Sequence, residues 1–119
     1  MKEMLQQAHT PTEYNHSLNN EHDKAIEAYN KAISLNPNLA EAYNNRGAEY
    51  NGKGQHDRAI EDFNKAIALN PNDADAYNNR GISYTLIKDN GKACIDLKRT
   101  CELGSCGGYK LGQQEGLCK

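Results

Sequence analysis

The sequence predicts an all-α fold built from repeated helical hairpins, and three observations predict it. The first is self-similarity: Ala25 to Gly47, AIEAYNKAISLNPNLAEAYNNRG, returns as Ala59 to Gly81, AIEDFNKAIALNPNDADAYNNRG, with 18 of 23 positions identical at an offset of 34. A period of that length belongs to a supersecondary unit that buries its apolar face only by stacking on its neighbours, that is, to a solenoid. The second is periodicity. Ala59, Ile60, Phe63, Ala66, Ile67 and Leu69 fall on the stripe of an amphipathic helix. The third is composition: 13 Ala and 15 Asn, one Phe, no Val and no Trp leave too few β-branched and aromatic residues to fill a sheet.

At 119 residues there is room for one domain, and with 37% hydrophobic residues its core is thin. The net charge of -2 carries no electrostatic footprint of a nucleic-acid or anionic-membrane partner, so neither is expected. No stretch approaches the roughly 18–20 apolar residues of a membrane helix, and Met1 to Gln7 has no apolar core resembling a leader. A soluble protein is expected on these grounds.

In chain order, residues 1–10 read as an extension or short helix. Residues 11–39 form a degenerate first unit: Thr10-Pro11-Thr12-Glu13 starts a helix over about 11–19, and a second helix occupies 24–35. If the first helix packs badly, Ile26, Tyr29 and Ile33 are left exposed, which invites self-association or helix exchange between chains. Residues 40–73 form the second unit, opening on Asn38-Leu39-Ala40-Glu41, an Asn cap with Glu three positions on; Asn72-Asp73-Ala74-Asp75 opens the third, 74–104, in the same way. The Asn-Pro pairs before them stop the preceding helices. Residues 105–119 leave the repeat and sit where a capping helix belongs, with Tyr109, Leu111 and Leu117 placed to cover the end of the stack. Gly108, Gly112 and Gly116 weaken that helix by about 1 kcal/mol each relative to Ala, so another restraint is needed.

All four cysteines lie in the last 26 residues. Cys94 and Cys101 stand about 10.5 Å apart along one helix and cannot bridge each other. If residues 108–117 run antiparallel to helix 92–103, Cys118 comes near Cys94 and Cys106 near Cys101, giving two nested disulfides. Bridges imply a periplasmic or secreted protein; free thiols imply a cytoplasmic one. Buried free thiols in the slots of Ile60 and Ile67 remain an alternative, as does a zinc site at Cys101-x4-Cys106, which lacks the paired spacing and the nearby His that zinc sites use.

The repeats strongly resemble the tetratricopeptide repeat family, whose signature is carried by Tyr43, Gly47, Tyr50, Ala59, Phe63, Ala66 and Pro71 in residues 40–73 and by Tyr77, Gly81, Tyr84 and Ala93 in residues 74–107. The first unit keeps Ala25, Tyr29, Ala32 and Pro37 but has His9, Glu13 and His16 in place of the helix A signature, with Thr12 where the second unit has Arg46. The resemblance covers about residues 24–104 and implies a right-handed superhelix of two and a half to three units. Arg46 and Arg80 depart from it, standing where the family commonly has Leu; bidentate pairs with Asp62 and Asp96 are expected to hold them.

The resemblance also implies a concave groove along the A helices for an extended peptide, lined by Glu41, Asn44, Asn45, Ala48, Asn51, Asp75, Asn78, Asn79, Ile82 and Thr85. Asn side chains donate and accept together, which suits holding a peptide backbone without reading much of its sequence. Family members that grip a chaperone's C-terminal carboxylate resemble this chain only at Asn45. Their Lys, Asn, Lys and Arg are replaced by Thr10, Tyr14, Asp75 and Asn79. A site with Glu41 and Asp75 favours a neutral or basic segment. No phosphate loop, HExxH, GxSxG or paired CxxC occurs, and His22 and His56 recur at the repeat period, as packing residues do. The expectation is a non-catalytic protein- or peptide-binding module that needs no cofactor or metal; the alternative is an assembly module that self-associates into a homo-oligomer or completes a longer array through its first unit.

Overall fold

A computed structural model describes the backbone of residues 11–118 and the side chains of residues 20–118. The expected extension over residues 1–10, with its Thr10 cap, lies outside the described residues, as do the side chains of Thr12, Glu13, Tyr14 and His16. The described chain is all-α: α1 Pro11–Leu35, α2 Ala40–Gly52, α3 His56–Leu69, α4 Ala74–Leu86, α5 Asn90–Glu102 and α6 Gly107–Gln114. Each helix packs on its chain neighbours, and α2 and α4 also meet across the repeat boundary. The radius of gyration, 16.2 Å, exceeds the roughly 13.5 Å of a compact domain of this length, as a stack of hairpins requires.

The turns explain the periodicity. Asn36 and Asn70 each follow a helix end and accept a hydrogen bond from the backbone N–H two residues on, at 3.1 and 3.3 Å. These Asx turns carry the chain from one unit to the next. Within a unit, helix A ends through a left-handed residue, Gly54 at φ 80° in the second unit and Lys88 at φ 66° in the third. Long-reaching bonds close both ends, from Gln55 N–H to the Tyr50 carbonyl at 2.9 Å and from Asp89 N–H to the Tyr84 carbonyl at 2.8 Å.

Two expectations are corrected here. The first unit contains no turn: α1 runs unbroken from Pro11 to Leu35, with His22 inside it. Asn20 stands where Gly54 turns the chain, and Glu21 stands where Asp89 caps α5 by accepting from Lys92 N–H. Folding back would bury no signature Tyr or Gly, so an uninterrupted helix satisfies more backbone bonds. The described part of α1 packs on α2, with Ile26 buried and Tyr29 and Ile33 half-buried. The second correction concerns caps. Leu39, not Asn38, is the N-cap of α2 and makes no side-chain cap bond, whereas Asp73 caps α4 by accepting from Asp75 and Ala76 N–H. Asn38 lies one residue before the cap position, its backbone N–H donating to the Asn36 side chain.

The core is small side chains around one ring. Ala42, Ala59, Ala66, Ala76 and Ala93 are buried, and Phe63 is fully enclosed. A Cβ on Gly47 would stand 2.6 Å from the Phe63 ring, so the close approach of α2 and α3 requires glycine there. Among these apolar groups lie two buried carboxylates. Asp62 takes bonds of 2.8 and 2.7 Å from the Arg46 guanidinium, and Asp96 takes the same two from Arg80. The third nitrogen of each arginine reaches back one unit, to Asn30 at 2.8 Å and to Asn64 at 2.9 Å. Tyr43 and Tyr50 flank Arg46, and Tyr77 and Tyr84 flank Arg80, with centroids 5.5 to 6.0 Å from the guanidinium carbon.

The hydrogen bonds to Asp62 and Asp96 hold both guanidinium groups above the ordinary arginine range, against the opposing cost of burial. From the arginine side, the pair's contribution is therefore complete below arginine's ordinary value and is lost only as pH rises through the raised one. Asp96→Ala, which strands a half-buried guanidinium, is expected to cost about 3 kcal/mol in urea unfolding. The apolar double variant Arg80→Met/Asp96→Leu is expected to return to within about 1 kcal/mol of the parent, because no uncompensated charge remains.

Candidate functional site

The face of α2 and α4 turned away from the Arg–Tyr columns carries the residues expected to line a groove, and the structure divides them. Glu41, Asn44, Asn45 and Asp75 line one open cavity of about 520 Å³ with Asn38, Asn70 and Asp73. Three carboxylates and four Asn side chains meet there, and none of the described residues lining it is basic. Asn78, Ile82 and Thr85 line a second cavity of about 350 Å³, whose far wall is Leu111, Gly112 and Leu117 and whose floor includes Leu97.

The remaining three residues play other parts. Asn79 donates to the Asn44 carboxamide oxygen at 3.0 Å, tying α4 to α2 beneath the first cavity. Asn51 accepts from the buried Ser83 hydroxyl at 2.9 Å and lies 2.9 Å from His56 Nδ1, so its carboxamide oxygen is committed to packing. Ala48 is exposed and lines neither cavity. Thr85 is partly spoken for as well, since its hydroxyl donates to the Gly81 carbonyl at 2.9 Å. His22 Nδ1 lies 2.5 Å from a Glu49 carboxylate oxygen and joins α1 to α2. Both histidines that recur at the repeat period thus make inter-helix or turn contacts.

Sequence reasoning treated α6 as a lid on the stack and overlooked it as a wall of the groove. Leu111 is 54% exposed and Leu86 is 53% exposed, so neither is core. The available signal was Ile82 followed by Leu86 four residues later, on a face of α4 away from Tyr77, Gly81 and Tyr84. The glycines that weaken α6 as an isolated helix are its points of close approach: a Cβ on Gly108 would lie 3.1 Å from Leu97, and one on Gly112 would lie 2.9 Å from Cys118 Sγ. Gly116, at φ 81°, turns the chain back so that Cys118 N–H reaches the Gly112 carbonyl at 3.0 Å.

That turn brings the Sγ atoms of Cys118 and Cys94 together, with Cα atoms 5.4 Å apart, and Cys101 meets Cys106 at the connection between α5 and α6. The first pair closes a long loop around the groove wall and the second a short one. On loop-closure entropy, Cys94→Ser/Cys118→Ser is expected to lose about 3.5 kcal/mol, and Cys101→Ser/Cys106→Ser about 2 kcal/mol. Thermal unfolding of both variants beside the oxidised parent checks the order; equal losses would contradict the dependence on loop length, and no loss would show that the bridges do not restrain the unfolded chain.

Comparison with known proteins agrees with this architecture. A family model described as Tetratricopeptide repeat matches residues 40–73, another so described matches residues 63–95, and one described as TPR repeat matches residues 18–52. Among solved structures, the chain is similar to the first TPR of Spaghetti (RPAP3) bound to the HSP90 peptide SRMEEVD, with a TM-score of 0.75 and 26% identity over 82% of this chain and 78% of that one. It is similar to the TPR2B domain of yeast Sti1 in a complex with pHsp70, with a TM-score of 0.70 and 26% identity over 81% and 77%. MamA protein is 35% identical with a TM-score of 0.66, over 70% of this chain and 45% of that one. No curated protein matches the chain.

Proposed function

Since the chain belongs to the tetratricopeptide repeat family, we propose that it is a non-catalytic module that binds an extended peptide along α2, α4 and α6. The observation that carries this reading is the pair of open cavities that border α4, one at Asp75 and the other at Asn78 and Ile82, residues that follow one another at helical spacing. Similar domains bind an HSP90 peptide and pHsp70, which supports the peptide as ligand class. The partner differs in charge. SRMEEVD has three acidic residues, whereas the cavity between α2 and α4 here presents Glu41, Asp73 and Asp75 with no cation lining it. A neutral or basic segment suits that field, and an acidic one is repelled. With both cysteine pairs oxidised, the working compartment is an oxidising one, periplasmic or extracellular.

Asn45 and Asn78 are the side chains offered to a peptide backbone, since Asn44, Asn79 and Asn51 are engaged within the fold. Peptides selected from a random library on the oxidised protein are expected to bind Asn45→Ala/Asn78→Ala about 30-fold more weakly, the worth of roughly two hydrogen bonds, while its thermal unfolding stays at the parent's. Failure to select any peptide on folded protein, or equal binding by the variant, would remove the reading.

A further inference from the structure

We infer that the groove recognises a basic side chain and a large apolar side chain about three residues apart on its peptide, the basic one beside Asp75 and the apolar one seated between α4 and α6. This rests on the peptide-binding reading above and specifies what that peptide carries.

The apolar seat is a cavity of about 350 Å³ with Leu97 as floor and Leu111 and Leu117 as far wall. Its near wall is Ile82 and Leu86, which with Leu111 are 44%, 53% and 54% exposed. A protein with so thin a core leaves these groups in water at a cost, and an apolar side chain inserted among them removes that surface from solvent. Only Asn78, Thr85 and Glu115 give this cavity polar edges.

The charge argument selects the occupant. Carboxylates border the groove at Glu41, Asp73 and Asp75 at one end and at Glu115 at the other, and no Lys or Arg lines either cavity among the described residues. Asp73 spends its carboxylate capping α4. Asp75 and Glu41 are exposed and make no side-chain ion pair among the described residues, so they are free to meet a cation. Asp75 precedes Ile82 by seven residues on α4, about 10.5 Å along the axis. An extended peptide advances about 3.3 Å per residue, so the same distance spans about three of its residues. Asn78 lies between the two positions, facing the backbone of the connecting residues.

The test uses the full oxidised chain and fluorescein-labelled ten-residue peptides in a Gly/Ser background, read by fluorescence polarisation. The parent peptide carries Lys at one position and Leu three residues later. Replacing Lys with Glu, or Leu with Ser, is expected to weaken binding at least tenfold. Asp75→Lys is expected to reverse the preference between Lys and Glu peptides, and Ile82→Ser to abolish the advantage of Leu over Ser while keeping that of Lys over Glu. Both substituted residues are exposed, and circular dichroism checks that each variant keeps its helices. Binding indifferent to the Lys or the Leu, or Lys preference unchanged in Asp75→Lys, overturns the inference. So does sedimentation showing a dimer that Ile82→Ser dissolves, since a second copy would then own the cavity. If library-selected peptides bind but lack the Lys and Leu pattern, the inference alone fails. If no peptide binds at all, the peptide-binding reading fails with it.

Discussion

The arrangement depends on a guanidinium held inside a stack of small side chains. Arg46 joins three helices at once: it lies on α2, forks onto Asp62 of α3 and reaches Asn30 of α1. Arg80 repeats this one unit later with Asp96 and Asn64. With Asp62 and Asp96 almost fully buried, any slip in the packing of a hairpin would strand a carboxylate in an apolar setting. Such a pair adds little net stability compared with a hydrocarbon core; what it adds is register. The 34-residue period seen in the sequence is thus tied to one geometry, in which each unit's arginine measures the distance to the unit before it.

That constraint also shapes the face proposed to bind peptide. Ala and Gly let the helices approach closely, and the Tyr and Arg columns occupy the side of α2 and α4 facing their partner helices. The opposite side is left with Asn, Asp and Glu at the start of each helix and Ile82 and Leu86 near the end of α4. The groove is therefore polar and acidic where α2 meets α4 and apolar where α4 meets α6. The apolar end exists because α6 is drawn against α5 at Gly108 and against the returning Cys118 at Gly112, and these glycines are the ones that deny it helical stability of its own. Covalent tethering at Cys94 and Cys118 is consistent with that balance.

Much of the fold was legible because the repeat reports on it twice. Helices α2 to α5, the Asn-Pro stops and the two Arg–Asp pairs all follow from residues that recur at a fixed offset. What escaped depends on single residues or on tertiary distances. The continuity of α1 goes with the missing helix A signature, since His9, Glu13 and His16 stand where the other units have Tyr, Gly and Tyr and a turn back would gain no such packing. The cap of α2 failed to appear because the cap position falls one residue later than expected, at Leu39, which offers no acceptor where the third unit has Asp73. On the groove face, helical spacing places Asn44, Asn79 and Asn51 correctly on α2 and α4, yet it cannot reveal that they bond across helices to each other or to Ser83. The apolar wall from α6 was legible only in part: Leu111 and Leu117 were placed against the end of the stack, but the space they leave in front of Ile82 and Leu86 is set by packing between segments whose sequences share no pattern.

The most direct measurement of the central claim is a titration of the isotopically labelled, oxidised protein with a library-selected peptide, followed by amide chemical shifts. The account predicts perturbations along Glu41, Asn45, Asp75, Asn78, Ile82 and Leu111, with the outward faces of α3 and α5 unmoved. Perturbations centred on α3 and α5, with the α2, α4 and α6 face silent, would contradict it.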